Sequence, residues 1–242
     1  MFFMTVKKLI IAIDGPAGAG KSTIASRLAR QLGYVNIETG AMYRALALKA
    51  IESDVGFDEE DALVSLAHGS HINLEPTIDG NRVILDGQDV TRRIRERDVT
   101  EAASQVSVHP RVREWMVSRQ RQMGLAGGVV MEGRDIGSKV FPDADVKVFL
   151  DAAPEVRGER RFRQQAPAAP AAVSEAERKK AAAVAAEMRE RDDRDRSRAN
   201  SPLVPAPDAV VIDSTNLTIE QVIEQVDRII AEKLRLSAHA TT

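Results

Sequence analysis

The sequence predicts an α/β fold: a mostly parallel sheet flanked by helices. Two observations carry this expectation. Short β-branched, apolar runs alternate with segments whose apolar residues recur at helical spacing. A glycine-rich string, Gly15-Pro-Ala-Gly-Ala-Gly-Lys21-Ser22, lies between the first such run and the first such helix. At 242 residues the chain can bury a sizeable core, and a core domain carrying insertions is expected.

Leu9 to Ile13 is apolar on both faces, as a central strand of a parallel sheet should be. From Lys21 the residues Ile24, Ala25, Leu28, Ala29 and Leu32 recur at helical spacing, and Gly33 is a C′ residue that closes the helix. A second strand is expected at Tyr34 to Ile37, then helices from Ala41 to about Ile51 and from Glu59 to Ala67. Between His71 and Val90 the period becomes strand-like, with Asp79-Gly80 and Asp86-Gly87 as hairpin signals, so a small antiparallel patch is inserted into the alternation. Arg92 to Gly124 reads as helices broken near His109-Pro110, because proline disfavours helix in the residue before it. Val129 to Met131, Val146 to Leu150 and Val210 to Ile212 are the remaining strands. Thr218 with Gln221 forms a capping box for a closing helix whose Ile219, Val222, Ile223, Val226, Ile229 and Ile230 share one side. The one low-complexity stretch, Ala166 to Ala172, is Pro/Ala-rich and reads as a mobile surface link.

The glycine string matches G-x-x-x-x-G-K-[ST], the phosphate-binding loop called Walker A. Glycines let the backbone turn its N–H groups toward phosphate oxygens, and the following helix adds the positive end of its dipole. Gly15, Pro16, Ala17, Gly18, Ala19, Gly20, Lys21, Ser22 and Thr23 therefore form the candidate ATP-binding set. Lys21 brings a compact charge to the β- and γ-phosphates, and Ser22 a hydroxyl for Mg²⁺. A glycine turn with a surface lysine would not need the strand before and the helix after, and both are there.

A formal net charge of -2 with pI near 6.1 leaves no basic footprint for nucleic acid, so bulk charge points to a small ligand. With no cysteine there is no disulfide and no cysteine-based zinc site. Met1 to Ile13 is too short for a signal h-region or a membrane span. A cytoplasmic monomer with neither nucleic-acid nor membrane partner is expected.

Gly133-Arg134-Asp135 follows a strand, at a carboxyl end where open α/β sheets bind ligands. Arg191, Asp195 and Arg198 fall at i, i+4 and i+7, one helical face with two guanidinium forks and a carboxylate, suited to a phosphate and sugar hydroxyls. Asp192 lies off that face. The competing reading of Arg191 to Arg198 is a solvated helix laced with pairs such as Asp192 with Arg196.

Six strings in order, GPAGAGKST, Glu38-Thr39-Gly-Ala-Met-Tyr-Arg44, Ala103-Ser104-Gln-Val, Pro110-Arg-Val-Arg113, Glu132-Gly-Arg-Asp135 and Arg191-Asp-Asp-Arg-Asp195-Arg-Ser-Arg198, resemble the bacterial cytidylate kinases. The likeness runs from about Leu9 to the C-terminus. It implies a P-loop nucleoside monophosphate kinase fold, with the core at residues 1–66 and 95–242, a lid at about 154–175 and an NMP-binding insertion at 67–94. It implies ATP as phosphoryl donor with Mg²⁺, and CMP or dCMP as acceptor. Residue by residue it implies Thr39 near the monophosphate and Arg44 at the acceptor phosphate. Ser104, Arg113 and Asp135 would read cytosine, Arg134 and Arg198 bind phosphate, and Arg191 and Asp195 meet the pentose. Lys21, Arg134, Arg157 and Arg161 are the implied catalytic charges. Three departures stand out. Glu38 replaces an aspartate of some members, Phe2, Phe3 and Met4 precede any alignable residue, and the Pro/Ala run lies inside the lid. Which of Arg157, Arg160 and Arg161 reach ATP is therefore open.

Rival classes are a regulatory GTPase, which needs an Asn-Lys-x-Asp string the chain lacks, and a nucleic-acid-dependent ATPase, which the aspartates among Arg191 to Arg198 oppose. A kinase of the same fold acting on UMP or shikimate stays open.

Overall fold

The computed structural model describes residues 8–77, 80–165, 175–198 and 200–239. In chain order the elements are β1 (Ile10–Asp14), α1 (Lys21–Leu32), β2 (Val35–Glu38), α2 (Thr39–Glu52), α3 (Glu60–His68), β3 (Ile72–Thr77), β4 (Gly80–Leu85) and β5 (Gln88–Asp89). After a 3-10 turn at Arg93–Arg95 come α4 (Arg97–Val106), α5 (Pro110–Gly124), β6 (Val129–Gly133) and a π turn at Ile136–Val140. The chain closes with β7 (Val146–Asp151), α6 (Pro154–Gln165), α7 (Glu175–Ser197), β8 (Val210–Asp213) and α8 (Ile219–His239).

The main sheet runs β2-β6-β1-β7-β8 with every pair parallel, as the alternating pattern predicts. Successive residues of a strand face opposite layers. Ile11 and Ile13 join Leu28 of α1 and Val226 and Ile230 of α8 on one side, while Ala12 joins Ile37, Met131 and Ile136 on the other. Chain connections leave β1 in one direction for β2 and cross back past it from β6 to β7. The glycine string thus stands at the point where strand order reverses, outside the carboxyl ends, where such sheets bind ligands.

Local signals end the helices as anticipated. Gly33 adopts φ 64 and its N–H reaches the carbonyls of Ala29 and Arg30. Pro110 opens α5 after the break. The Thr218 N–H donates to Gln221 Oε1 at 2.9 Å, and the Gln221 N–H to Thr218 Oγ1 at 3.2 Å. Two boundaries shift by a residue or two, since β2 includes Glu38 and α2 begins at Thr39. Strand β2 runs alongside β6, so Glu38 stands in register with Glu132. Phe2, Phe3, Met4, Asp79 and the Pro/Ala run Ala166 to Ala172 lie outside the described residues.

The inserted patch is a second sheet, β3-β4-β5, wholly antiparallel. Its Ile72, Val83 and Leu85 pack into a cluster with α2, α3, α4 and α5. Asn81 ties it to the main sheet. The side-chain amide donates to the Asn36 carbonyl at 2.8 Å and accepts from the Glu38 N–H at 2.9 Å, satisfying the free edge of β2 as a neighbouring strand would. Asn81→Ala leaves both groups unpaired in a buried seam. That costs about 1 to 3 kcal/mol, and thermal denaturation should show a Tm lower by several degrees with the secondary structure intact.

Candidate active site

The phosphate loop is shaped by backbone conformations that side chains resist. Gly15, Gly18 and Gly20 have φ of 145, 76 and 98. A Cβ on Gly15 would stand 2.0 Å from the Leu150 carbonyl oxygen. Gly20 caps α1 without any side-chain acceptor, so the first-turn N–H groups are left for an anion. Ala17, Gly18, Gly20, Lys21, Ser22 and Thr23 line one large cleft, with Gly15, Pro16 and Ala19 behind them. Lys21 Nζ donates to the Pro16 carbonyl at 2.7 Å. Burial, then the nearby Arg134, pulls its pKa down to about 7, against Glu132 and Asp14.

Three carboxylates sit behind the loop. Asp14, at the end of β1, accepts the Ile136 and Gly137 N–H groups at 2.8 and 2.7 Å, and burial still lifts it to about 6. Glu38 and Glu132 are cross-strand neighbours on β2 and β6. Burial, then Glu38, raises Glu132 to about 7, while Lys21, the adjacent Ser22 hydroxyl and Arg134 pull the other way. Burial also acts on Glu38, but its ion pair with Arg44, with Arg95 and Lys21 nearby, outweighs it and holds the carboxyl below the usual range. Like charges placed side by side cannot both ionise cheaply, so the two glutamates separate in acidity.

The other end of the cleft is built by α2, α4, α5, the end of β6, and α7. Thr39 Oγ1 donates to the Glu132 carbonyl at 2.7 Å, which locks α2 to β6. Arg113 pairs with Asp135 at 2.6 Å, both buried, and its guanidinium lies 5.5 Å over the Tyr43 ring. Asp195 accepts from Arg134 Nε at 3.0 Å and also pairs with Arg198. Burial opposes its ionisation, yet Arg134, Arg198 and Arg191 win and its pKa falls. For Arg191, burial, then Arg134, lowers the guanidinium to about 10. Arg44, Ser104, Arg113, Arg134, Asp135, Arg161, Arg191, Asp195 and Arg198 all line this cleft. The Nε atoms of Arg44, Arg113, Arg191 and Arg198 are buried there without a partner among the described residues. Buried donors left unmatched by protein indicate where a ligand's acceptors belong.

Two expectations are corrected. Asp192 lies off the Arg191–Asp195–Arg198 face, but it neither meets solvent nor pairs with Arg196. At 1% exposure it faces Arg157 Nη1 at 2.5 Å. The solvated-helix reading fails at Asp195 for the same reason, since packing against α6 and the cleft buries that side of α7. Arg157, implied as a catalytic charge with its reach to ATP left open, is 2% exposed and absent from the cleft wall. Its Nε donates to the Ala152 carbonyl at 2.9 Å and its Nη1 to the Ala17 carbonyl at 3.0 Å, so it braces the loop from behind. Arg160 likewise turns away, to the Ser214 carbonyl at 2.7 Å. Sequence reasoning missed Asp14, Tyr43, Arg194 and any role for Glu132. For Asp14 and Glu132 the signal was present, a carboxylate ending a buried strand.

Two measurements follow from these charges. Asp192→Ala strands a buried guanidinium and should destabilise by about 3 to 5 kcal/mol, read by denaturant titration. Asp193→Ala, at an exposed neighbour, should stay within about 0.5 kcal/mol. For Glu132, folding raises the pKa from 4.5 to about 7. The stability its carboxyl contributes is full below pH 4.5 and is lost as pH rises to about 7. Glu132→Gln removes that loss, so its Tm relative to the parent should climb between pH 5 and pH 8.

A phosphate loop, several guanidinium groups whose Nε atoms have no partner among the described residues, and a buried Arg–Asp pair in one cleft narrow the chemistry to a phosphorylated, hydrogen-bonding ligand beside a nucleotide. The cytidylate kinase family model matches residues 11–232. A cytidylate kinase of Geobacillus kaustophilus (strain HTA426) is 47% identical over 228 residues, covering 94% of this chain and 99% of the relative. One of Enterococcus faecalis (strain ATCC 700802 / V583) is 47% identical and covers 93% and 97%. A crystal structure of an uncharacterized protein from Eubacterium ventriosum ATCC 27560 covers 93% of this chain and 99% of its own, with a TM-score of 0.50 at 10% identity, a likeness of fold alone. A family model over most of the chain and identity of this depth along nearly the full length of both partners mean that the chain belongs to the cytidylate kinase family.

Proposed function

We propose that this chain transfers the γ-phosphoryl group of ATP reversibly to CMP and dCMP, giving ADP and the pyrimidine diphosphate. The observation that carries the reading is the single cleft with the phosphate loop at one end and the buried Arg113–Asp135 pair at the other. An oxygen of the CMP phosphate attacks the γ-phosphorus in line, the bond to the bridging oxygen breaks, and ADP leaves with that electron pair. No nucleophilic side chain is needed. Lys21, Arg44, Arg134, Arg161 and Arg191 supply positive charge around the transferring group. Asp135, held by Arg113, accepts from the cytosine amino group, a donor that uracil lacks. Asp195 faces the pentose with Arg191, and Arg198 steadies Asp195.

The residues fit a Mg²⁺ ion that arrives with the nucleotide. Ser22 is exposed on the cleft wall, Glu132 Oε1 is buried with no partner among the described residues, and Glu38 is beside it. No group of three or more His, Asp or Glu that could hold an ion by itself occurs among the described residues, and Mg²⁺ prefers phosphate oxygens and water to an all-protein cage. When bound it neutralises charge on the β- and γ-phosphates.

The division into a core at 1–66 and 95–242, with a lid near 154–175, and an insertion at 67–94 rests on the separate small sheet. No described residue of 67–94 lines the cleft, so the insertion acts on the acceptor through α2 and α4, which it supports. The reading carries with it a monomer acting in the cytoplasm on small molecules alone. No described helix is long and apolar enough to cross a membrane.

Consumption of ATP against CMP, dCMP, UMP, AMP and GMP tests the assignment: CMP and dCMP should lead in kcat/KM, and a preference for a purine monophosphate would overturn it. Lys21→Ala should cut kcat by about 10²- to 10³-fold with smaller change in KM.

A further inference from the structure

Arg194 on α7 and Arg198, just past its end, reach Ser104 on α4 and Ser107, just past its end. Arg198 Nη2 donates to Ser107 Oγ at 2.8 Å, and Arg194 Nη1 donates to Ser104 Oγ at 3.1 Å. Ser107 passes its own proton on, donating to the Ser104 carbonyl at 3.0 Å. Ser104 does not. It is 2% exposed, it lines the cleft, and no protein group among the described residues accepts its hydroxyl proton. A hydroxyl that accepts from a guanidinium keeps a second lone pair, but the positive charge draws its oxygen toward Arg194 and turns its proton away, toward the cleft. Ser104 also belongs to the corner that holds Asp135, through Ser107, whose carbonyl accepts from Arg113 at 3.2 Å, and the Arg113–Asp135 pair.

We propose that Arg194 is a specificity-determining positioning residue, which by turning the Ser104 proton toward the cleft makes the base pocket favour cytosine over uracil. This rests on the reading of Ser104 and Asp135 as groups facing the base. Cytosine presents an amino donor at C4 beside an acceptor at N3, and uracil presents an acceptor at O4 beside an N3–H donor. Asp135, a carboxylate paired with Arg113, accepts, and Ser104 under Arg194 donates. The pair of polarities, acceptor then donor, is complementary to cytosine at both edges. Without Arg194 the Ser104 hydroxyl is free to rotate, and it can accept from the uracil N3–H as readily as it donates to cytosine N3. Discrimination then falls to Asp135 alone. A group that merely strengthened the positive field would act on CMP and UMP alike, because their phosphates are identical.

The test is the ratio of kcat/KM for CMP to that for UMP, measured on the whole protein for Arg194→Met, Arg194→Lys, Ser104→Ala and the Arg194→Met/Ser104→Ala double variant, with Tm and circular dichroism recorded for each. Arg194→Met should lower the ratio about tenfold, the worth of one ordinary hydrogen bond, chiefly through a higher KM for CMP. Arg194→Lys, which restores a donor, should recover part of it. Ser104→Ala should lower the ratio comparably, and the double variant should lose no more than Ser104→Ala alone. Equal slowing of CMP and UMP in Arg194→Met, or a further fall of the ratio in the double variant, overturns the role of Arg194. An unchanged ratio in Ser104→Ala removes the reading of Ser104 beneath it, and the two failures are told apart by which single variant is silent.

Discussion

The cost of holding charge out of water at the carboxyl edge of the parallel sheet is the constraint on which this site depends. Burial, with neighbouring like charge, draws Lys21 down to about 7 and lifts Glu132 to about 7 and Asp14 to about 6. Each ion there survives because another is beside it or because backbone N–H groups point at it. Asp135 answers Arg113, Asp195 answers Arg134 and Arg198, and Asp192 answers Arg157. What remains over is positive, carried by Arg161 and Arg191 in the same cleft as Lys21. That surplus lies among partly unmatched buried donors, where an anion gains more than it would in bulk water.

The sheet and its order of elements were legible because they rest on local periodicity. Leu9 to Ile13 and Val129 to Met131 are apolar on both faces, as a central parallel strand requires. Gly33, Pro110 and the Thr218–Gln221 pair marked boundaries for local reasons and fell within a residue of them. The site was legible where a motif carries its own geometry, as in the phosphate loop, or where resemblance supplied positions, as with Ser104, Arg113 and Asp135. It was not legible where partners are far apart in sequence. Nothing in a run of alternating Arg and Asp tells which carboxylate points inward, because burial is conferred by α6 and the cleft rather than by the run. Asp192 looked solvated for that reason, and Arg157 looked available to a ligand because its partners, Ala17, Ala152 and Asp192, come from three separate stretches.

The inserted sheet shows a different division of labour. Its described residues stay off the cleft wall, yet its Ile72, Val83 and Leu85 share a core with α2 and α4, which carry Arg44 and Ser104. Asn81 fixes that block to β2 within a residue of Glu38. The insertion is thus the floor on which the acceptor-facing helices rest, and its effect on chemistry passes through their placement.

The brace between α6 and α7 bears on the shape of the cleft. Glu155 pairs with Arg189, Gly158 lies so close to Ala185 that a Cβ there would stand 2.6 Å from the alanine Cβ, and Arg157 meets Asp192. The two helices therefore hold each other in antiparallel alignment without help from the residues that join them. The cleft residues the pair carries, Arg161 on α6 and Arg191 and Asp195 on α7, are thereby set against one another as one wall, so a shift of either helix along the other would displace charge at the cleft even with every cleft side chain unchanged.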